Sequence, residues 1–267
     1  MSARLREIAR QTERIVAEGG YRTASDRCVT LAAQIGTAAD GTRVHGPDPV
    51  EVPPAPAVTT SVSVTGESSL TAARRLGTGT AVLNFASARN PGGGYLNGAQ
   101  AQEEAVCRAS ALYTCLLRAP DFYAHHRTHR DPFYTDRVIH SPSVPVFRDE
   151  AARLLDAPFT VGFLTAAAPN AGVIRRQTPE RADEIPAALA ARAARVLETA
   201  ASYGYRRLVL GAWGCGVFQN DPAAVAGAFR DLLTDGPGAG RFEEVVFAVL
   251  DRTKDRTTLD AFRRTFE

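Results

Sequence analysis

The chain has 267 residues, 45% of them hydrophobic and 22% charged, and its formal net charge at pH 7 is +2. This is the composition of an ordinary globular protein with enough apolar residues for a sizeable core. The small net charge argues against direct DNA binding and against attraction to an anionic membrane. No stretch approaches the roughly 20 uninterrupted apolar residues of a membrane span, and the N-terminus lacks the apolar core of a signal peptide, so we expect a cytoplasmic protein with no membrane partner.

The cysteines and histidines show no established metal-binding motif. The four cysteines have neither a CxxC pair nor another metal-ligand spacing, so we expect reduced, structural thiols: Cys28, Cys107, Cys115 and Cys215. Three histidines have a spacing that could place ligands on one helical face, but no carboxylate or cysteine motif accompanies them. We interpret these three as surface residues and expect no metal: His125, His126 and His129.

The N-terminal part of the chain differs from the rest. "SARLREIARQTERIVAEG" has the apolar spacing of an amphipathic helix, which Gly19 and Gly20 should end. The later stretch "GPDPVEVPPAPAV" is too rich in proline for regular structure. We therefore expect residues 1–45 to be an N-terminal helical extension packed on the core, and residues 46–267 to be the main domain.

After the proline-rich stretch, apolar strands alternate with helices. The sequence predicts strands in "VTTSVSV", "TAVLNF", "FTVGFLTAAA", "RRLVL" and "FEEVVFAVLD", and a short strand pair around Pro142. It predicts helices in "ESSLTAARRL", in "AQAQEEAVCRASALYTCLLR", from Pro179 to Tyr203 with Thr178 as the cap, after the capping residue Asp221, and at the C-terminus. This alternation is typical of an α/β fold with a parallel or mixed central sheet.

Two glycine-rich stretches each follow an apolar strand and precede a helix: "GGG" at 92–94 and "GAWGCGVF" at 211–218. Ligands of open α/β sheets bind beyond the strand ends, where glycine lets the backbone approach a phosphate and helix N-termini attract anions. Together the loops could clamp a diphosphate, or they could only make tight turns. Neither loop has the Walker or G-x-G-x-x-G spacing, which disfavours nucleoside triphosphate hydrolysis and hydride transfer. Phe218 could stack on a sugar or base or pack in the core, whereas Trp213 should be packed.

Two adjacent glutamates, Glu103 and Glu104, lie near the start of the helix that follows the first glycine loop. They could simply cap that helix, because its dipole stabilises negative charge there. Successive helical residues point roughly 100° apart, so the two carboxylates could instead reach different parts of a ligand. One could then hold sugar hydroxyls while the other does acid–base work on a glycosidic oxygen. Such an acid needs a raised pKa, which the dipole opposes and which burial, the neighbouring glutamate and a bound diphosphate favour.

The stretch "NPGGGYLNGAQAQEE" resembles the signature of poly(ADP-ribose) glycohydrolases, in which Gln-Glu-Glu follows a triple glycine. The neighbouring "LNFASARNPGGG", "RASALY" and "GAWGCGVFQND" resemble the shorter, bacterial-type members. The resemblance implies a macrodomain-like, three-layer α/β/α fold over residues 46–267, with a mixed central sheet. It also implies hydrolysis of ribose–ribose O-glycosidic bonds in poly(ADP-ribose) without metal or cofactor, and a role in the DNA damage response.

The resemblance assigns roles to residues by their position in these motifs. Glu104 would be the general acid and base, Glu103 would bind ribose hydroxyls, and Asn90 would help to position the distal ribose. The other ligand-binding residues that it implies, chiefly for the diphosphate, are Gly92, Gly93, Gly94, Gln102, Gly214, Cys215, Gly216, Val217 and Phe218. Where the animal-type enzymes have Asp-Phe-Ala-Asn, this chain has Asn-Phe-Ala-Ser at 84–87, and it has no clear equivalent of their tyrosine-bearing loop.

Other functions remain open at this stage. A macrodomain can recognise ADP-ribose without cutting it, and a related hydrolase can act on a protein-linked ester or on a small ADP-ribose derivative. A structural α/β protein would bind nothing. The expected partners are poly(ADP-ribose), ADP-ribose and ADP-ribosylated proteins, and we expect a monomer. The segment 166–172 and the loop after Leu250 are the candidates for adenine binding.

Overall fold

The computed structural model describes residues 2–267. The strands are β1 (Gly20–Arg22), β2 (Cys28–Thr30), β3 (Arg43–His45), β4 (Ser61–Thr65), β5 (Thr80–Phe85), β6 (Val138–Arg148), β7 (Leu154–Ala166), β8 (Arg207–Leu210) and β9 (Glu244–Ala248). The α-helices are α1 (Ala3–Glu18), α2 (Ala32–Asp40), α3 (Ser69–Leu76), α4 (Gln102–Ala109), α5 (Leu112–Leu116), α6 (Pro120–Thr128), α7 (Ala171–Gln177), α8 (Ile185–Ser202), α9 (Pro222–Thr234) and α10 (Thr257–Phe266).

Seven strands form one mixed sheet in the order β3-β6-β7-β5-β8-β9-β4. The five strands β7, β5, β8, β9 and β4 pair in parallel. At the other edge, β6 pairs antiparallel with β7, and β3 pairs antiparallel with β6. Strand β5 lies at the centre, where Val82 pairs with Phe163 on one side and with Val209 on the other. Helices cover both faces of this strand, which explains why its sequence is almost entirely apolar. The predicted α/β fold with a mixed sheet is confirmed.

The sheet separates two layers of helices. Because side chains alternate along a strand, Val82 faces one apolar cluster and Leu83 faces the other. The first cluster contains residues of the helices from α1 to α6, and the second contains residues of the helices from α7 to α10. This is the three-layer α/β/α arrangement that the resemblance implied.

The N-terminal amphipathic helix is confirmed as α1. The Ser2 hydroxyl accepts a hydrogen bond from the Leu5 amide at its start, and Gly19 ends it in the left-handed conformation. Residues 46–58 contain no helix or strand, as predicted. The domain division at residue 45 stays a prediction. Strand β3, which ends at residue 45, pairs with β6 in the central sheet. Helix α1 packs into the first apolar cluster together with residues of the main domain.

The long helix expected over "AQAQEEAVCRASALYTCLLR" is in fact two helices, α4 and α5. They are separated at Ser110, which is extended with φ −145° and ψ 176° and forms an isolated bridge with Val146 of β6. The Ser110 hydroxyl donates to the Val106 carbonyl and accepts from the Leu112 amide. These contacts give hydrogen-bond partners to the backbone groups that the break in the helix leaves unpaired. The sequence pattern around Ser110 favours a continuous helix, but the pairing with β6 prevents it.

Two other predicted elements also need correction. The strand pair around Pro142 is one strand, β6, whose pairing with β7 shifts register between Ser141 and Val144. The helix expected from Pro179 begins with a 3₁₀ segment, Pro179–Glu184, and becomes α-helical only at Ile185. Thr178 precedes that 3₁₀ segment but makes no side-chain cap.

The histidine prediction is wrong for one residue. His126 is buried in α6, where its ring nitrogens contact the Phe122 carbonyl and the Thr135 hydroxyl. His125 and His129 lie nearer the surface, and their rings are stacked 4.1 Å apart. The four cysteines are free thiols, but only Cys107 and Cys115 are buried as expected of structural thiols, whereas Cys28 is exposed. Within residues 2–267, no helix is both long enough and apolar enough to cross a membrane.

Candidate active site

A cleft of about 1570 Å³ lies beyond the carboxyl ends of β5, β8 and β9. The first glycine loop, the start of α4 and the second glycine loop all line it, and so does the segment 248–253 at the end of β9. Ligands bind at this edge of an open α/β sheet because successive loops converge there. The two glycine loops, which are more than 100 residues apart in sequence, therefore belong to one site.

Glu103 lies in the first turn of α4 and is 3% exposed. Its Oε1 accepts a hydrogen bond from the Asn84 side chain at 3.2 Å, and its Oε2 accepts one from the Ser87 amide at 2.7 Å. Burial raises the pKa of Glu103 to about 8. The hydrogen bonds from Ser87 and Asn84 oppose this rise, whereas the charge of Glu104 adds to it.

Glu104 is 8% exposed and is held by a different stretch of chain. Its Oε1 accepts from the Gly94 amide at 2.9 Å, and its Oε2 accepts from the Ala101 amide at 3.0 Å. In the second bond, the side chain at the third helical position accepts from the amide of the N-cap residue Ala101, as in a capping box, so Glu104 also caps α4. The two glutamates therefore bind different backbone amides, although an oxygen of each lies close to Gly93, and the protein itself fixes each carboxylate in place.

The first glycine loop turns tightly between Asn90 and Tyr95. The Gly93 amide donates to the Asn90 carbonyl, and the Tyr95 amide donates to the Gly92 carbonyl, both at 3.0 Å. Gly92 is buried, and a Cβ atom there would lie 3.0 Å from the Tyr113 ring. The loop thus rests on Tyr113 and presents Gly93 and Gly94 to the cleft.

Gln102 has a role that the sequence did not reveal. Its side-chain oxygen accepts from the Phe85 amide at 2.9 Å, and its side-chain nitrogen donates to the Leu83 carbonyl at 2.8 Å and to the Ser69 hydroxyl at 3.2 Å. The amide group thereby continues the hydrogen bonding of β5 beyond the sheet and ties the strand to α4. Ligand binding by Gln102 stays a prediction.

The second glycine loop is held in place by Asn220, which lies in the motif "GAWGCGVFQND" but received no role from the sequence. The buried Asn220 side chain donates to the Pro169 carbonyl at 2.8 Å and to the Gly214 carbonyl at 3.2 Å. Gly214 has φ +73°, and a Cβ atom there would lie 2.6 Å from the Ala168 side chain. Trp213 is buried and donates to the Ala166 carbonyl at 2.9 Å, so its packing role is confirmed.

The tip of the second loop projects from this anchored base. Val217 is 83% exposed, whereas Phe218 is half-buried, with its ring 5.8 Å from that of Tyr134. Tyr134 has φ +58°, an uncommon conformation for a residue with a bulky side chain. Burial raises the pKa of the Cys215 thiol to about 12, and the nearby Asp221 charge adds to this, so Cys215 is a poor nucleophile.

Most of the predicted site residues meet in the cleft. Those that line it are Asn90, Gly93, Gly94, Gln102, Glu103, Glu104, Gly214, Cys215, Gly216, Val217 and Phe218. Gly92 lies behind this surface. Of the adenine candidates, the loop after Leu250 lines the cleft, whereas the segment 166–172 contributes only Ala168. No group of three or more potential metal ligands occurs within residues 2–267.

Comparison with known proteins identifies the family. The family model for the microbial-type PARG catalytic domain matches residues 9–149. A crystal structure of poly(ADP-ribose) glycohydrolase from Thermomonospora curvata is 47% identical in sequence, with a TM-score of 0.94 over 99% of this chain and 100% of that chain. The structure of that enzyme bound to the inhibitor ADP-HPD gives the same identity and coverage and a TM-score of 0.92.

A second species gives the same result. Poly(ADP-ribose) glycohydrolase from Deinococcus radiodurans, in complex with ADP-ribose, is 45% identical, with a TM-score of 0.82 over 90% of this chain and 99% of that chain. No curated protein sequence matches the chain significantly. The family model and the near-complete structural matches together show that this chain belongs to the microbial-type poly(ADP-ribose) glycohydrolases, a family of glycoside hydrolases.

Proposed function

We propose that this enzyme hydrolyses the ribose–ribose O-glycosidic bonds of poly(ADP-ribose) and releases ADP-ribose, with Glu104 as the general acid and base. The observation that carries this proposal is the pair Glu103 and Glu104. Both carboxylates are buried, both are fixed by backbone amides, and both lie in a cleft bounded by two glycine loops. A module that only recognises ADP-ribose has no need of an acid at this position.

The substrate binds with its diphosphate between the two glycine loops. The glycine backbone at Gly93 and Gly94 leaves room for a phosphate on one side of that space. Because the Gly93 and Gly94 amides already donate to Asn90 and Glu104, amides of the segment 214–218 would supply donors to the phosphate. The relatives from T. curvata and D. radiodurans, whose structures contain ADP-HPD and ADP-ribose, support this class of ligand. The distal ribose then lies beside Asn90 and the glutamates, where Glu103 accepts hydrogen bonds from its hydroxyls.

Glu104 acts twice in the reaction. A proton on its carboxyl group passes to the leaving ribose oxygen while the bond between that oxygen and the anomeric carbon breaks. The electron pair of that bond leaves with the oxygen, and the anomeric carbon becomes oxocarbenium-like. The Glu104 carboxylate then takes a proton from water as the water oxygen bonds to the anomeric carbon. The products are ADP-ribose and a polymer one unit shorter, and Glu104 is again protonated.

The substrate's own diphosphate would stabilise the positive charge that develops on the ribose. The two glutamates are adjacent on α4, so they do not flank the sugar as the two carboxylates of most glycosidases do. A diphosphate held between the glycine loops places negative charge close to the reacting ring. A substrate analogue with a neutral replacement for the diphosphate should therefore be hydrolysed far more slowly, and hydrolysis at the full rate would contradict this role.

The test of the proposed function compares the wild type with Glu104→Gln on purified poly(ADP-ribose), following released ADP-ribose. Binding of ADP-ribose to both proteins must be measured first, so that a folding defect is excluded. We expect the wild type to release ADP-ribose and the variant to bind it but to be at least about a hundredfold slower. Glu18→Gln, which changes an exposed carboxylate outside the cleft, should remain active.

The other outcomes identify the remaining functions. If the wild type binds ADP-ribose but does not cut the polymer, the protein is a reader or acts on another linkage, and protein-linked ADP-ribose esters separate these two. If ADP-ribose does not shift the melting temperature, the cleft does not bind it. For the cellular setting, the expectations of a cytoplasmic monomer, of ADP-ribosylated proteins as partners and of a role in the DNA damage response stay proposals.

A further inference from the structure

Two buried arginines form no ion pair among residues 2–267. Arg108 is 7% exposed and Arg148 is 5% exposed. Neither forms an ion pair with any carboxylate in the part of the chain that the structure describes. A cation that lines a cleft and has no ion-pair partner can take an anionic ligand as its partner, which lowers the cost of burying the charge.

Both guanidinium groups have unused donors. Arg108 donates only from Nη1, to the Ala99 carbonyl at 2.7 Å. Arg148 donates from Nε to the Thr12 hydroxyl at 3.2 Å and from Nη1 to the Ala152 carbonyl at 2.9 Å. The protein bonds therefore hold the side chains in place but leave Nη2 of each arginine without an acceptor in residues 2–267. Both residues line the same cleft as the catalytic glutamates.

These arginines lie in an extension of the cleft that we call the arginine groove. Its lining residues come from α1, α3, α4 and the β6–β7 hairpin and include Arg74, Arg108, Arg148, Arg153, Leu70 and Phe159. Two carboxylates also line it. Asp149 is paired with Arg153 at 2.7 Å, and Glu150 accepts a hydrogen bond from the Thr71 hydroxyl at 2.6 Å. Arg74, Arg108 and Arg148 are thus the cations of the groove that have no ion-pair partner among the described residues.

The arginine groove and the catalytic residue share helix α4 and one cleft. Glu104 and Arg108 are four residues apart on α4, so they lie on one face in successive turns. Burial lowers the pKa of Arg108, and the nearby charge of Glu104 partly opposes this lowering. Arg108 is therefore the first of these arginines that a substrate extending from the Glu104 carboxyl along α4 would reach.

We propose that the arginine groove binds the diphosphate of the next ADP-ribose unit, the one joined to the leaving oxygen. The inference rests on the proposed function, because it places the scissile bond at Glu104. In the polymer, the leaving oxygen belongs to the adenosine ribose of that next unit, and its diphosphate follows on the same ribose. Guanidinium forks match phosphate oxygens in geometry and charge. The groove thus holds the polymer across the bond that is cut and keeps the shortened polymer after ADP-ribose leaves.

The test uses two substrates that differ only on the leaving side. One is purified poly(ADP-ribose), and the other is ADP-ribose with a neutral aryl group at the anomeric carbon of its distal ribose. The variants are Arg148→Gln, which removes a buried cation, and Arg74→Gln, which changes an exposed residue and should fold normally. The matched control is Arg14→Gln, because Arg14 is exposed and lies outside the cleft.

We expect kcat/KM on the polymer to fall about tenfold for each groove variant, mainly through KM, as for the loss of one charge-assisted phosphate contact. Rates on the aryl substrate and the Kd for ADP-ribose should stay within about twofold of the wild type. The decrease of polymer affinity with salt should also be less steep in the variants, since fewer phosphates are neutralised. The Arg14→Gln control should match the wild type on both substrates.

Two results would overturn the proposal while leaving the proposed function intact. One is that Arg74→Gln and a folded Arg148→Gln variant cleave the polymer as fast as the wild type. The other is that both substrates slow equally, because that pattern indicates distortion of the active site rather than loss of a polymer contact. If the wild type cuts neither substrate, the proposed function itself fails, and the groove proposal fails with it.

Discussion

A Cβ atom on Gly93 would lie 2.6 Å from Oε1 of Glu104 and 3.1 Å from Oε2 of Glu103. The backbone of the first glycine loop therefore lies so close to both carboxylates that position 93 has no room for a side chain. Gly93 also has φ +58°, in the left-handed region that L-residues with a side chain rarely adopt. The triple glycine and the paired glutamates are thus one structural unit, although the sequence presents them as two motifs.

This contact predicts the effect of Gly93→Ala. The added methyl group must displace the Glu104 carboxylate, so we expect polymer hydrolysis to fall at least about a hundredfold and stability to fall by about 1–3 kcal/mol. The control is Gly204→Ala, because Gly204 has φ +74° but a Cβ atom there would meet nothing within 4 Å beyond its chain neighbours. That variant should lose stability and keep its activity. If Gly93→Ala is no less active than the control, the close approach does not matter for catalysis.

The buried Glu103 carboxyl predicts how stability depends on pH. Its pKa is about 8 in the folded protein and near its ordinary value of 4.5 when unfolded, because burial disfavours the charged form. The folded state therefore binds the proton more tightly, and this contribution to stability is complete below pH 4.5 and is lost as the pH rises through about 8.

Thermal unfolding of the wild type and of Glu103→Gln across this pH range measures the contribution. The melting temperature of the wild type should fall relative to that of the variant as the pH rises from 4.5 to 8, because glutamine cannot ionise. A constant difference between the two proteins over this range would show that Glu103 does not change protonation between its folded and unfolded states.

The fold was largely predictable because its main signals are local. An apolar strand such as β5 and a capped amphipathic helix such as α1 have patterns that few alternatives match. The break at Ser110 was not predictable, since the residue that pairs with it, Val146, lies on β6 and is distant in sequence. The single strand β6 was missed for a related reason, because a proline near its middle indicates a turn unless pairing with β7 accommodates it as a bulge.

The residues of the candidate site that belong to a sequence motif were predictable. The residues that only hold the loops of the site in place were not. The motifs drew attention to Glu103, Glu104 and the glycine loops. The role of Asn220 was hidden because it depends on the Pro169 carbonyl, which only the folded chain brings near. Tyr134 gave no signal at all, since neither its left-handed backbone nor its contact with Phe218 is encoded in a local pattern.

Gln102 offers a test between ligand binding and support. If its side chain braces β5, as its bonds to Phe85 and Leu83 indicate, Gln102→Ala should lose about 1–3 kcal/mol of stability, because buried backbone groups become unpaired. Gln100→Ala is the control, since Gln100 is exposed and lines the same cleft. Denaturant unfolding and the Kd for ADP-ribose distinguish the roles. Weaker binding with unchanged stability would assign Gln102 to the ligand instead.

Phe218 should contribute to binding through its ring, which is held against Tyr134 at the end of the second glycine loop. Phe218→Ala is expected to raise the Kd for ADP-ribose about tenfold, the magnitude of one aromatic packing contact. Phe218→Tyr should keep most of the affinity because it preserves the ring. Val217→Ala is the matched control, since it keeps the backbone amide of the same loop and removes only a side chain that is 83% exposed. Calorimetric titration measures all three variants. If Phe218→Ala binds as tightly as Val217→Ala, the ring serves only to pack the loop against Tyr134.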